Sequence, residues 1–355
     1  MRIAILGSVS TIIPPQGQAA IERLAYQQAV GLAERGNEIL LFCLQGSQVV
    51  HPNVRMITVG SGEARSGQGN ETNYEALYGT SYKLRLEIVN LAQVLANLIT
   101  LKDQYDVILN NLRGEAILLP IARELNKTFF HVLHLPVFPE LAELFKAYKT
   151  QLISISNAQQ KANPDLNYAG TVYNAVDTNE FTYSPTHQNY VLYLGSIGKN
   201  KNPRDAILAA QQAGEKMLIG GRIKDTKYYE SEIKPLIDGT QIQWVGEKHG
   251  DEIVKLYQGA KVFLFPTLWE EPFGLVLIEA MSCGTPVIAY PHGAIPEIVT
   301  NGKVGFLVNS VAEMAAKIKE IDTIKREDCR KYVEENFALE KMIVAYEVLL
   351  KTLVT

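Results

Sequence analysis

Glu271 and Glu279, with seven residues between them, sit in the stretch WEEPFGLVLIEAMSCGTPVIA, Trp269 to Ala289. The preceding AKVFLFP reads as a strand and TLWEEP as the turn that leaves it. LVLIEAMSC then reads as a helix that stops at Gly284. Pro272 fits the first helical turn, where a missing N–H costs nothing, and Gly274 lets the backbone approach something bulky. The unbonded N–H groups of Phe273, Gly274 and Leu275 carry the positive end of the helix dipole. That is a place for an anion, most often a phosphate. Glu279 falls within two helical turns, about 80° around the axis, where it could accept two hydrogen bonds from a vicinal diol such as a ribose. Glu271 would lie on the other side of the phosphate, near whatever the phosphate carries. Taken singly, each acid has a plainer reading: a dipole partner for Glu271, a solvated helix face for Glu279. Leu277, Ile278, Ala280 and Met281 flank Glu279, however, and an unpaired buried carboxylate is costly, which favours a ligand role.

These residues need elements to hold them. RIAILG (2–7), NEILLFCL (37–44) and VRMITVG (54–60) read as strands, with a helix from AAIERLAYQQAVGLAERG between the first two. Segment 61–80 is rich in Gly, Ser and Asn and reads as a mobile loop before a long helix over roughly 81–100. YDVILN (105–110), TFFHVLH (128–134), LISIS (152–156) and GTVYNAV (170–176) continue the strand series. A polar seam follows at 178–188, and the pattern then restarts with strands at 189–196, 216–221, 241–246, 260–266, 285–290 and 305–308. Continuous apolar runs are what parallel strands buried on both faces look like. The last segment, 339–353, is a helix with no strand after it. The fold class expected is α/β, two doubly wound domains of similar size facing each other.

The 355 residues carry a net charge of −4, with 14 Lys+Arg against 16 Asp+Glu in residues 1–180 and 20 against 22 in the rest. Neither half is basic, which argues against nucleic acid as the partner. Cys43, Cys283 and Cys329 are far apart and form no C-x-x-C, so reduced thiols in a cytosolic protein are expected, without metal ligation. The first residues read as a buried strand, not a signal peptide, and no stretch approaches the ~20 apolar residues of a membrane span.

Glu-x7-Glu within EPFGLVLIEAMSCGTPVIA resembles the signature of the retaining nucleotide-sugar glycosyltransferases of glycosyltransferase family 4, which have the GT-B fold. PPQGQAAIERLAYQQAVGLAERGNEILLF (14–42) is similar to that family's N-terminal glycine loop and helix. ISISNAQQ (153–160), VYNAVDTNEF (172–181), YLGSIGKNKNP (193–203) and GAIPEIVTNGKVGFLV (293–308) resemble further family segments in the expected order.

The resemblance implies two facing Rossmann-like domains, with a C-terminal helix crossing back to the N-terminal domain. It implies an acceptor-binding domain over 1–180, a nucleotide-sugar-binding domain over 181–338, and helix 339–355 packed on the first. By the same resemblance Glu279 would bind ribose hydroxyls, Glu271 the donor sugar, and the Phe273, Gly274 and Leu275 amides the donor phosphates. Lys201 matches a phosphate-binding lysine, His134 a histidine near the reaction centre, and Gly17 the first glycine of the loop over the diphosphate. Two positions depart from the family pattern: Ser196 stands where an arginine is common, and Gln18 where a second glycine is common. Arg222 and Lys199 are the cations that could replace the missing arginine.

Among other residues, His131 and His134 lie three apart on one strand and are expected to face opposite sides, with His134 nearer the strand's C-terminal end. His249 and His292 read as loop residues, Trp244 and Trp269 as packing anchors, Tyr74, Tyr78 and Tyr82 as helix packing, and Asn174 as a turn residue. H-E-x-x-H, Walker, G-x-S-x-G and G-x-G-x-x-G motifs are absent from the sequence.

The expected activity is transfer of a hexosyl unit from a nucleoside diphosphate sugar, UDP-linked by family frequency, to an acceptor hydroxyl, with retention and without metal or cofactor. His134, Glu271 and Lys201 are the catalytic candidates. The acceptor class stays open between saccharide, lipid-linked glycan and small metabolite, and a peripheral membrane contact at the inner face of the cytoplasmic membrane is compatible. The alternatives are a GT-B sugar-nucleotide epimerase or phosphorylase, or a two-lobed sugar-binding protein without catalysis.

Overall fold

The computed structural model describes residues 1–15, 19–60 and 73–353. Gly17 and Gln18 lie outside the described residues, as does 61–72 of the expected loop.

Strands β1 (Arg2–Leu6), β2 (Glu38–Leu44), β3 (Val54–Val59), β4 (Val107–Asn110), β5 (Thr128–Leu133), β6 (Gln151–Ser154) and β7 (Tyr168–Thr171) form one sheet. Strands β8 (Tyr190–Leu194), β9 (Met217–Gly220), β10 (Ile242–Gly246), β11 (Ala260–Phe265), β12 (Val287–Ala289) and β13 (Gly305–Leu307) form the second. Helices α1 (Ala20–Glu34), α2 (Asn73–Thr100), α3 (Glu115–Glu124), α4 (Pro139–Tyr148) and α5 (Asn157–Ala162) come first. They are followed by α6 (Pro203–Ala213), α7 (Thr226–Tyr228), α8 (Asp251–Gly259) and α9 (Leu275–Ser282). The last are α10 (Ile295–Ile298), α11 (Val311–Glu320), α12 (Arg326–Asn336) and α13 (Leu339–Leu353). The α2 helix starts earlier than the periodicity indicates and is broken at Gly79, whose φ and ψ of 52° and −133° are not helical.

The chain divides into two compact units. Unit 1 is Met1–Ile155, Gln160–Val172 and Ile343–Thr355, and unit 2 is Ser156–Gln159 and Tyr173–Met342.

Both sheets are parallel throughout, with orders β3-β2-β1-β4-β5-β6-β7 and β10-β9-β8-β11-β12-β13. In each, the chain runs outward from its first strand and then returns to the other side of it. The reversal falls between β1 and β4 in unit 1 and between β8 and β11 in unit 2. Open α/β sheets bind ligands beyond the strand C-termini at this switch point, because the two flanking loops diverge there and leave a crevice.

In unit 1, one sheet face packs Leu6, Phe42 and Ile108 against Leu91, Val94 and Leu98 of α2. On α1, a Cβ at Gly31 would stand 2.6 Å from Ile343 Cγ1, so glycine is what admits α13 at this distance. Ile343, Tyr346 and Leu350 of α13 are buried. Glu347, buried as well, takes hydrogen bonds from Arg35 at 2.8 Å and Asn37 at 3.3 Å. In unit 2, Arg326 donates to the carbonyls of Ser184, Gln258, Ala260 and Cys283, and Arg330 to those of Thr178, Phe181 and Ser282. These two guanidiniums fasten the polar 178–188 segment within unit 2. The three cysteines are buried free thiols. Among the described residues no helix is long and apolar enough to cross a membrane.

Candidate functional site

The site in unit 2 is built on the loops that leave β8 and β11. After β8 the chain passes Gly195 and Ser196 and makes a 3-10 turn over Lys199–Lys201. After β11 it passes Pro266 and Thr267. Thr267 Oγ1 and the Leu268 amide both donate to the Asn200 carbonyl, at 3.1 and 2.8 Å, and so tie the two loops together. Tyr193, fully buried beneath them, donates to the Ser196 carbonyl at 3.2 Å.

This tie brings Lys201 to Glu271. The Lys201 ammonium pairs with Glu271 Oε2, and the Trp269 indole N–H donates to the same oxygen at 2.7 Å. The ammonium also lies 4.8 Å from the Trp269 ring centroid and 5.5 Å from that of Phe265, both within cation–π reach. The two charged side chains are only 19% and 12% exposed, so solvent screens the pair weakly. Trp269 therefore holds the acid in place and is more than the packing anchor that its sequence context indicates.

The turn after Glu271 corrects the sequence reading. Pro272 is not in the first helical turn: it lies in the loop, and α9 begins at Leu275. Gly274 precedes the helix with φ of +102°. The Leu277 amide folds back on the Gly274 carbonyl at 3.0 Å. Among the described residues, the amides of Phe273, Gly274, Leu275 and Val276 meet no acceptor. The donor group expected from sequence thus extends by one residue, to Val276. The Phe273 side chain is buried, its ring 6.0 Å from those of Tyr173 and Phe337, and anchors the turn.

Glu279 is also corrected. It is half-buried, not enclosed, and accepts a hydrogen bond from Tyr257 at 3.2 Å. Because Glu271 precedes the helix, no helical angle relates the two acids. Tyr257 is fully buried and escaped the sequence reading, since nothing local ties α8 to α9.

A further close approach was invisible in sequence. A Cβ at Gly293 (φ +62°) would fall 2.3 Å from the Glu271 carbonyl oxygen and 2.4 Å from its nitrogen. The Gly293 amide donates to Glu270 Oε2 at 2.7 Å, and the Ala294 amide to the Glu271 carbonyl at 2.8 Å. Glycine is what lets the loop before α10 brace the Glu271 backbone.

Ser196 is half-buried, and Arg222 and Lys199 are exposed with no side-chain ion pair among the described residues. His292 is half-exposed, 3.6 Å from Glu270, and His249 is exposed. The Trp244 ring packs 5.6 Å from that of Tyr229. Asn174 is buried, and its Oδ1 has no donor among the described residues.

In unit 1 His131 lies within β5 and His134 one residue past its end. The β5 strand ends at Leu133, and the His134 amide turns back to the Val132 carbonyl at 3.1 Å. Both imidazoles therefore reach β4 and its C-terminal extension. His131 Nδ1 lies 2.9 Å from Asn110 Nδ2, and His134 Nε2 lies 2.8 Å from Asn111 Oδ1. Asn111 Nδ2 donates to buried Gln28 at 2.8 Å, so its oxygen faces His134 and the His134 proton sits on Nε2. Burial lowers both imidazoles to about 3, with help from His134 at His131 and from Arg113 at His134. Of the three tyrosines, Tyr74 and Tyr78 lie outside the residues whose side chains are described, and Tyr82 is half-buried.

Beside Asn111 a cavity of about 240 Å³ opens at the β1/β4 switch point, lined by Ser8, Glu22, Leu84, Ile88, Asn111 and Ile117 among others.

Residues 177–336 match the family described as Glycosyl transferases group 1. The whole chain superposes on sucrose-phosphate synthase from Thermosynechococcus elongatus with a TM-score of 0.76 at 18% identity, covering 99% of this chain and 98% of that one. The chain has the GT-B fold. A second GT-B neighbour, Anabaena HepE solved in complex with UDP and glucose, superposes with a TM-score of 0.71 at 18% identity, covering 99% of both chains. In sequence, N-acetyl-alpha-D-glucosaminyl L-malate synthase of Bacillus anthracis is 26% identical over 232 residues, 59% of each chain. The chain spans about half the length of the curated relatives it matches. The family match covers most of unit 2, where the GT-B switch point carries Lys201, Glu271 and the open amides.

Proposed function

We propose that this GT-B protein moves a hexosyl unit from a UDP-sugar to an acceptor hydroxyl with retention of configuration. Unit 2 binds the donor and unit 1 the acceptor. The observation that carries the reading is the conjunction at the β8/β11 switch point: a lysine–glutamate pair beside four amides at the start of α9 that meet no acceptor among the described residues. The amides and Lys201 stabilise charge that develops on the leaving diphosphate. Glu271, steadied by Trp269, accepts hydroxyl hydrogen bonds from the sugar, and Glu279 does so from the ribose. The diphosphate takes the acceptor's proton as the glycosidic bond to it breaks and the new one forms on the same face. His134, neutral and oriented by Asn111, offers Nδ1 as an acceptor to a sugar hydroxyl. Ser196 lines the phosphate side, and Arg222 supplies the second cation. The positive charge needed comes from the protein, so the reading requires neither metal nor cofactor. The HepE complex with UDP and glucose supports the choice of base. The enzyme would act in the cytoplasm, at the inner face of the membrane when its acceptor is carried there.

Calorimetry with UDP tests the reading. Lys201→Ala and Glu279→Ala should each weaken binding while circular dichroism stays unchanged. Unaltered affinity in both variants removes the donor site. Release of UDP from UDP-glucose that depends on added acceptor would support transfer.

A further inference from the structure

The cavity at the β1/β4 switch point in unit 1 has two chemically distinct parts. Its inner part carries buried Glu22, Ser8 and Asn111. Ser8 Oγ donates to Glu22 Oε1 at 3.0 Å, and this is the one hydrogen bond that the Glu22 carboxylate takes among the described residues. An ionised carboxylate has about four acceptor sites, so Glu22 has capacity for further donors at the cavity wall. Glu87 and Arg113, of opposite charge, line the more open part of the space, and the one charged group buried at its floor is Glu22, which disfavours an anionic group there. An uncharged hydroxyl meets the requirement.

The outer part carries an apolar stripe beside Glu87 and Arg113. Leu84 and Ile88, four apart and therefore on one face of α2, are 60% and 45% exposed, and Ile117 of α3 is 41% exposed. These side chains rim the same cavity that ends in the polar floor. A cavity of ~150 Å³ already holds a benzene ring, so about 240 Å³ admits a ring-sized head with substituents.

We infer that the acceptor is an amphiphile, an uncharged hydroxylated head with a hydrocarbon tail. The head hydroxyl donates to Glu22, and the tail lies along Leu84, Ile88 and Ile117. Asn111 joins this floor to His134, because one amide lines the cavity and holds the imidazole. The inference rests on the transfer reading for the word acceptor. The binding surface itself can be tested without it.

The test titrates the full chain with octyl β-D-glucoside, below its micelle concentration, and with methyl β-D-glucoside, by calorimetry. The octyl compound should bind at least about tenfold more tightly. The double variant Leu84→Asn/Ile88→Asn, altered only at exposed positions, should bring the two ligands to within about threefold. Glu22→Gln should weaken both ligands alike. Equal binding of the two glucosides, or a preference that survives the double variant, overturns the amphiphile. A parallel UDP titration reads the donor site alone: lost UDP binding with the octyl preference intact would sink the transfer reading and leave the cavity assignment standing.

Discussion

The Lys201 ammonium and the Glu271 carboxylate form an ion pair across 70 positions of sequence, in a setting only 12–19% exposed. Each side chain is the other's counter-charge in the unliganded protein, so a phosphate that draws on Lys201 competes with Glu271. Lys201→Ala should reduce UDP affinity about 10- to 100-fold, the range of a charged hydrogen bond. Glu271→Gln keeps an acceptor for the Trp269 indole and removes the competition. It should leave UDP affinity unchanged or up to about threefold tighter, while turnover falls by about 100-fold or more. The double variant measured by calorimetry should show non-additivity of about 1 kcal/mol or more. Strict additivity would mean that the pair is incidental to binding.

Gly293→Ala should disturb the donor loop more than any change at the exposed end of the same contact. The added methyl would sit 2.3 Å from the Glu271 carbonyl oxygen, at a φ of +62°. A loss of about 2–4 kcal/mol in urea unfolding is expected, with weakened UDP binding. Glu270→Gln, which alters only the partner of the Gly293 amide, should cost under about 1 kcal/mol. Similar behaviour of the two variants would show that the loop tolerates the methyl by moving away.

The two imidazoles give the protein an acid limb. Burial holds both at about 3, against about 6.5 when unfolded, so each takes up a proton on unfolding as the pH falls. Their contribution is complete above about pH 6.5 and is lost progressively toward pH 3. The melting temperature should therefore drop between pH 7 and pH 4, and His131→Asn should flatten part of that slope. Parallel curves for wild type and variant would contradict neutral burial of His131.

Glu347 sets the attachment of α13 within unit 1. Burial opposes its ionisation, but hydrogen bonds from Lys351, Arg35 and Asn37 outweigh this and hold the carboxyl down at about 2. The stabilisation is present above the unfolded value of about 4.3 and is lost as the pH falls through about 2. Glu347→Gln should cost about 1–3 kcal/mol at pH 7, measured by denaturant unfolding. An undiminished midpoint would show that apolar packing of Ile343, Tyr346 and Leu350 alone holds the helix.

Much of the architecture was legible in the chain. Runs such as EILLFCL and AKVFLF announce strands buried on both faces, because parallel sheets leave them no polar side. The apolar helix after Gly274 and its stop at Gly284 could be read from local chemistry. The place of the proline before Gly274 could not: Pro272 suits a loop as well as a first helical turn, and the bracing of Glu271 by Gly293 comes from a segment some twenty residues on. His134 lies one residue past the end of β5, where alternation no longer sets the direction of a side chain.

The sequence by itself determined which segments become strands and helices, which half carries the paired acids, and that amides at one helix start would lack acceptors. These are short-range properties, governed by side-chain shape, apolar run length and backbone geometry. Only the tertiary structure decided that Lys201 meets Glu271, that Trp269 orients it, that Tyr257 reaches Glu279, and that Glu22 closes the floor of an apolar-rimmed cavity. Those partners are set by strand order and by the loops at the switch points, and contacts across tens of residues leave no periodic mark on the chain.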